Sequence, residues 1–348
     1  MAGPLGPGAL AAAALTALTA VASTPRSGGI DLEPPPGIGL RAADCGACHP
    51  DEVAEWSTSR HAVAATNPMF LASWRRWPNG WCLGCHVPDR EGQAAWIGAP
   101  AVPGVLRAPV EAPADGAWRD GVGCAACHVD GGEILAARPP LPDAVEAHPI
   151  RVIPSLTGAE TCGRCHAFPF QRHTPGPFAY GETPAQDTVA EWSRSSAAGT
   201  PCAGCHMPDG AHSFPGAHDP ALVRGALDLR VVRRGARVVA VVSSDPPHRI
   251  PTGDPFRGIE LRVCGDAGCS GPTASSQLRR RFAPDATSWA LIDDTTLSPW
   301  RPRRRLVAPW IEGASRWELW YRFGERRLEP ELPAAEVGYV ITAGDLAP

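Results

Sequence analysis

Cys45-Gly46-Ala47-Cys48-His49 returns four times along the chain, as Cys82-Leu83-Gly84-Cys85-His86, Cys124-Ala125-Ala126-Cys127-His128, Cys162-Gly163-Arg164-Cys165-His166 and Cys202-Ala203-Gly204-Cys205-His206. Two thiols three positions apart can reach the two vinyl groups on one edge of a porphyrin, and the histidine that follows can fold under the ring to bind its iron. That is the attachment pattern of c-type haem. The motif histidines stand 37 to 42 residues apart, a weak internal repeat. Zinc ribbons also use Cys-x-x-Cys, but need two pairs per metal; five pairs leave one over, and each pair here is followed by His. Five redox disulfides with no thioredoxin-like βαβ context fit less well still. The sequence therefore predicts five covalently attached haem c groups. Cys45, Cys48, Cys82, Cys85, Cys124, Cys127, Cys162, Cys165, Cys202 and Cys205 would hold the macrocycles, and His49, His86, His128, His166 and His206 the irons.

Working outward, residues 41–220 form the predicted pentahaem region. It holds ten of the 12 cysteines and ten of the 11 histidines. Its apolar runs are short and broken by Pro and Gly, so its side chains alone are not expected to build an ordinary core. At about 36 residues per haem the groups cannot be buried separately; they must pack together and share walls. The fold class expected is mixed: a mainly α and irregular multihaem part with little regular structure, then an all-β, sandwich-like part over 225–348. In the second part Leu227, Leu229 and Val231 alternate with polar residues, Arg233-Arg234-Gly235-Ala236 reads as a turn, and Val238 to Val242 reads as the return strand. Ile259 to Val263, Trp317 to Phe323 and Val337 to Ile341 alternate in the same way.

The N-terminus, 1–22, reads as a signal peptide: Leu10 to Ala22 is a run of Ala, Leu, Thr and Val, and Ala20-Val21-Ala22 offers small residues for cleavage. No Arg or Lys precedes Arg26, a departure from the usual pattern. Residues 23–40 read as a flexible leader. The expectation is a periplasmic or extracellular protein with no membrane span after cleavage, which agrees with haem attachment outside the cytoplasm. A formal charge of −4 gives no reason to expect nucleic acid as a partner. All 32 basic residues are Arg, whose forked guanidinium suits carboxylates such as haem propionates.

Six histidines lie outside the motifs: His61, His148, His173, His212, His218 and His248. Five irons need at most five further ligands, so bis-His coordination throughout leaves one histidine spare. Methionine is a poor alternative. Met207 directly follows a motif histidine, and Met69 reads as core. Bis-His ligation predicts low potentials relative to Met/His. Cys264 and Cys269, with no His after the second, are expected to form a disulfide in an oxidising compartment. One further echo stands out. Val53-Ala54-Glu55-Trp56-Ser57-Thr58-Ser59 matches Val189-Ala190-Glu191-Trp192-Ser193-Arg194-Ser195 at all but one position, and both read as short helices with an inward Trp.

Cys45 to Ala62, with its Glu-Trp-Ser-x-Ser-x-His after the motif, resembles the cytochrome c-554-type multihaem cytochromes. So do Gln186 to Pro208, Gly210 to His218, and His248-Arg249-Ile250-Pro251-Thr252-Gly253, the last with Pro247 where Gly is expected. The resemblance spans roughly 41–265. It implies that His61 is an axial ligand, and it ranks His61, His148, His212 and His248 as the leading distal ligands, then His218, then His173. A liganding His248 would clamp the β part onto the haem part.

Three functions follow as expectations. The first is an electron carrier, with other cytochromes or quinone-linked enzymes as redox partners and no catalytic residue. The second is a reductase or oxidase of a small nitrogen or sulfur compound at one open iron, for which Tyr180 is the one tyrosine in the haem region. The third is a subunit of an extracellular conducting assembly, with which oligomerisation is compatible.

Overall fold

The computed structural model describes residues 32–97, 111–141, 147–173, 179–266, 268–271 and 273–346. The signal-peptide reading of 1–22 and the first part of the leader lie outside the described residues.

Short helices carry the motifs. Pro68–Arg76 shows why such pieces form here. Asn67 caps it by accepting from the Phe70 backbone N–H at 2.8 Å, Pro68 opens its first turn, and Arg75 and Arg76 face the negative end of the helix dipole. Phe70 and Trp74, four residues apart, share its buried face. With Ala65, Leu83, Val87, Trp96 and Trp118 they build a small aromatic core around the second motif. The motif region therefore has a small side-chain core here, and a second, smaller cluster of Leu32, Ala125 and Val129 at the third motif, where an ordinary core was not expected. The tryptophans supply the first, because each brings a large apolar area that needs no long apolar run.

Regular structure is also more abundant there than expected. Directly after the third motif helix, Ala125–His128, the chain forms β1 (Val129–Asp130) and β2 (Glu133–Ala136), and β3 (Ile150–Val152) pairs parallel to β2. Gly131 and Gly132, at φ +59° and +76°, make the tight turn between β1 and β2 that only such residues adopt cheaply. β4 (Ala167–Gln171) leaves the fourth motif helix, Ala159–His166, and pairs antiparallel with β5 (Tyr180–Asp187).

The C-terminal half holds two antiparallel sheets. One runs β11–β7–β6, from Arg303–Pro309, Arg237–Ser243 and Asp228–Arg234. The other runs β10–β9–β8–β12–β13, from Trp289–Asp294, Thr273–Pro284, Gly258–Cys264, Arg316–Arg322 and Gly338–Asp345. One apolar core lies between them. Val238, Ala240, Val242, Leu306 and Ala308 come from the first sheet, and Ile259, Leu261, Val263, Leu278, Leu319, Tyr321 and Ile341 from the second. Val337 is not in a strand but ends the helix Ala334–Val337, just before β13. Cys264 and Cys269 form a disulfide across the turn that follows β8, with their Cα atoms 4.9 Å apart.

Polar contacts tie the two halves together. Arg60 donates to Glu336 at 3.0 Å, Arg280 to the Ala185 carbonyl at 2.9 Å, and the Tyr339 hydroxyl to the Ala217 carbonyl at 3.0 Å. Among the described residues no helix is long and apolar enough to cross a membrane.

Candidate haem-binding site

Four of the motif helices end at their histidine, His86, His128, His166 and His206, so the imidazole leaves the last turn and is free to face across to another element, whereas the first ends at Gly46 and His49 caps the next helix. Four of these rings and partners are fixed by their Nδ1 atoms. His86 Nδ1 lies 2.6 Å from the Ala64 carbonyl, His128 Nδ1 2.8 Å from that of Leu135, and His206 Nδ1 2.7 Å from that of Pro215. His248, outside the motifs, places Nδ1 3.0 Å from the Arg249 carbonyl. A carbonyl can only accept, so Nδ1 carries the proton and Nε2 presents its lone pair. The β1–β2 turn explains the second contact: it folds β2 back so that the Leu135 carbonyl meets the histidine that has just left its helix.

Three motif histidines face a histidine from outside the motifs. His61 and His166 have ring centroids 6.3 Å apart, His128 and His212 6.2 Å, and His206 and His248 6.1 Å. Two imidazoles on opposite sides of one metal, each through a bond of about 2.0 Å, put their centroids roughly 6 Å apart. Three independent pairs thus share the separation that a bis-His metal requires. Phe214, at φ +48°, sets its ring edge-on to His61 at 4.5 Å and to His212 at 6.0 Å, a strained residue wedged between two of these histidines. Gly121 permits a close backbone approach: a Cβ there would lie 2.6 Å from the His61 carbonyl oxygen, which accepts from Val122 N–H at 3.0 Å.

Burial favours the neutral form of five of these rings. Burial, and then nearby His206, pushes His61 down to about 4; burial, and then His61, pushes His166 down to about 4. Burial likewise lowers His86, His128 and His248. Neutral imidazole is the form that binds metal. Burial pushes the Cys82 thiol up to about 12 and the Cys127 thiol up to about 11, while the neighbouring Cys124 and Cys162 bring Cys45 and Cys202 down to about 7.

Thiols from different motifs also meet. Cys45 lies beside Cys124, Cys85 beside Cys165, and Cys162 beside Cys202, while Cys127 lies close to both Cys162 and Cys165. The motifs are packed against one another, the fourth touching the second, third and fifth.

The remaining histidines are placed as follows. His49 is exposed, with Nδ1 3.9 Å from Glu52. His86 stacks on Phe70 at 4.1 Å. His148 Nδ1 is buried without a hydrogen-bond partner. His218 stacks on Phe323 at 3.7 Å, and burial lowers it to about 3. His173 is exposed against Trp289, and its backbone N–H donates to the Thr287 carbonyl at 2.9 Å. Two carboxylates absent from the predicted site stand beside the paired histidines: Glu55 Oε2 accepts from His212 N–H, and Glu191 Oε2 from Arg249 N–H, each at 2.8 Å. The only signal of them in the sequence is the Val-Ala-Glu-Trp-Ser echo.

No protein family and no curated protein matches the chain. Among solved structures it is similar to a penta-haem cytochrome c552 from Thermochromatium tepidum, at 22% identity and a TM-score of 0.62, over 88% of this chain and 98% of that one. The chain shares the fold of that cytochrome.

Proposed function

We propose that this chain is an exported pentahaem c-type cytochrome that relays electrons. The observation that carries the reading is the coincidence of five Cys-x-x-Cys-His motifs with three histidine pairs at a metal-spanning 6.1 to 6.3 Å. Bound haem would supply reversible one-electron chemistry at iron, with low potentials from bis-His ligation. The chain's own part is to hold the thiols and imidazoles. The anchored Nδ1 protons aim Nε2, burial favours the neutral form of His61, His166, His128 and His248, and the neighbouring motif thiols keep adjacent groups close. The likeness to a penta-haem cytochrome supports the fold this requires.

His61, His212 and His248 are the distal ligands for the fourth, third and fifth motifs in this reading. His148 and His218 complete the first and second, and His173, exposed on Trp289, is the spare. Support for His218 at the second motif is a chain of contacts. His218 stacks on Phe323, the next residue Gly324 packs against Met69, and Met69 precedes the Phe70 on which His86 stacks. A periplasmic or extracellular location, and other redox proteins as partners, belong to the same proposal.

One observation favours a second reading, with an open iron. Tyr180, the motif region's one tyrosine, accepts from Trp81 Nε1 at 3.2 Å, and Trp81 directly precedes Cys82. A polar hydroxyl beside the second motif is what a reacting iron would use. EPR of the oxidised protein separates the two. Low-spin signals alone support the carrier; a high-spin ferric signal that shifts on adding nitrite, hydroxylamine or cyanide supports the open iron.

A further inference from the structure

The duplicated Val-Ala-Glu-Trp-Ser segments make matching bonds around two different histidine pairs. Trp56 Nε1 donates to the Val122 carbonyl at 2.9 Å, two residues before Cys124. Trp192 Nε1 donates to the Thr200 carbonyl at 3.0 Å, two residues before Cys202. Each tryptophan therefore holds the strand of chain that enters one motif. The glutamates hold the other side. Glu55 accepts the backbone N–H of His212, and Glu191 accepts that of Arg249, next to His248. The motif entered at Cys124 supplies His128, which faces His212; the motif entered at Cys202 supplies His206, which faces His248. Each copy thus grips both sides of a single pair.

We infer that the two Glu-Trp segments are a duplicated clamp, each setting the spacing and register of the two axial histidines of one haem. The clamp on residues 53–57 serves the third motif, and that on 189–193 the fifth. The inference rests on the haem reading above. These are positioning residues: none of the four side chains is a ligand, and each acts through a backbone group of a segment that carries one. Outer-shell hydrogen bonds of this kind fix ligand orientation and so tune the metal. The serines that follow repeat as well, Ser57 bonding the Ala54 carbonyl at 2.7 Å and Ser193 that of Ala190 at 3.0 Å.

The copies differ in charge. Glu191 is buried and ion-paired to Arg249, which also binds Asp294 at 2.8 Å. Glu55 is exposed, and its carboxylate stands 3.8 Å from His212 Nδ1. Loss of Glu191 leaves a half-buried arginine short of a partner, so the fifth-motif clamp is the costlier to break.

The test uses the full-length holoprotein in four variants, Glu55→Ala, Trp56→Phe, Glu191→Ala and Trp192→Phe, with Glu55→Gln as the conservative control. Haem-to-chain ratio, EPR and potentiometric titration are read for each. The expected result is that Glu55→Ala and Trp56→Phe shift the g-values and midpoint of one and the same low-spin component. Glu191→Ala and Trp192→Phe should shift a single different one. Glu55→Gln, which keeps an oxygen for the His212 N–H, should return the low-spin signal of its component. Variants of one copy that act on different components, or signals unchanged in all four, would overturn the clamp. If Glu191→Ala does not accumulate, Trp192→Phe and the exposed copy decide by the same criteria. A wild-type ratio below five counts against the haem reading, whereas five haems with unmatched shifts count against the clamp alone.

Discussion

His206 and His248 face each other with ring centroids 6.1 Å apart and planes within 11° of parallel, although one ends a motif helix and the other lies in the loop leading to β8. Loss of His248 should therefore leave haem attachment intact and free one coordination position. His248→Ala is expected to keep five haems per chain, lose one low-spin signal, gain a high-spin one, and bind cyanide there. Added imidazole should restore the low-spin signal. EPR with and without imidazole checks this; an unchanged spectrum would remove His248 from the ligand set.

Glu260 is a buried carboxylate in a central strand of the larger sheet, ion-paired to Arg322 and Arg326. Removing one member of such a group strands the others. Glu260→Ala should cost ~3 kcal/mol of stability, read as a lower denaturant midpoint, with the haem ratio unchanged.

The same carboxylate gives a pH dependence. Burial works to raise Glu260, but the hydrogen bonds and charges of Arg322 and Arg326 outweigh it and hold the group below its ordinary 4.5. Asp294 is alike: burial raises it, while Thr296 and Arg249 bring it below its ordinary 3.8. With folded-state values below unfolded ones, the unfolded chain takes up protons first as pH falls. Stability from both groups is thus full above their ordinary values and is lost as pH drops from there through the folded values. The denaturant midpoint should fall on acidification below about pH 4.5, and Glu260→Gln should flatten that slope. An unchanged slope in the variant would show that Glu260 does not contribute.

The Cys264–Cys269 disulfide closes a short turn, so its loss should be modest. Closing so small a loop stabilises by about 2 kcal/mol on chain-entropy grounds. The double variant Cys264→Ser, Cys269→Ser is expected to lower the melting temperature while retaining all five haems. Loss of a haem would mean that these cysteines do more than close the turn.

What the sequence reveals here follows from what is local. The ten motif cysteines and five histidines are legible because i, i+3 and i+4 spacing is itself the chemical requirement. The β6–β7 hairpin is legible because alternation flanks a turn at Gly235, which takes φ +57°. β11 is not, because Arg303, Arg304 and Arg305 mask the inward Leu306 and Ala308. The insertion of β12 between β8 and β13 depends on pairing between distant segments, which no local pattern encodes. The histidine pairs are hidden for the same reason: His61 precedes its partner His166 by more than a hundred residues and reaches it past two other motifs. The aromatic core at the second motif escapes a search for apolar runs because Phe70, Trp74, Trp96 and Trp118 come from three separate short segments that only the fold brings together. Glu55 and Glu191 are visible as a repeat, yet only the fold shows that each bonds the backbone of a segment carrying one of the paired histidines.

The central claim is the covalent attachment of five haems, and the haem-to-chain ratio of the purified, denatured protein tests it most directly. The pyridine haemochrome spectrum, with protein quantified independently and intact mass measured in parallel, should give five haems per chain that denaturation does not release. Fewer than five, with all ten motif cysteines present in the chain, would contradict the account.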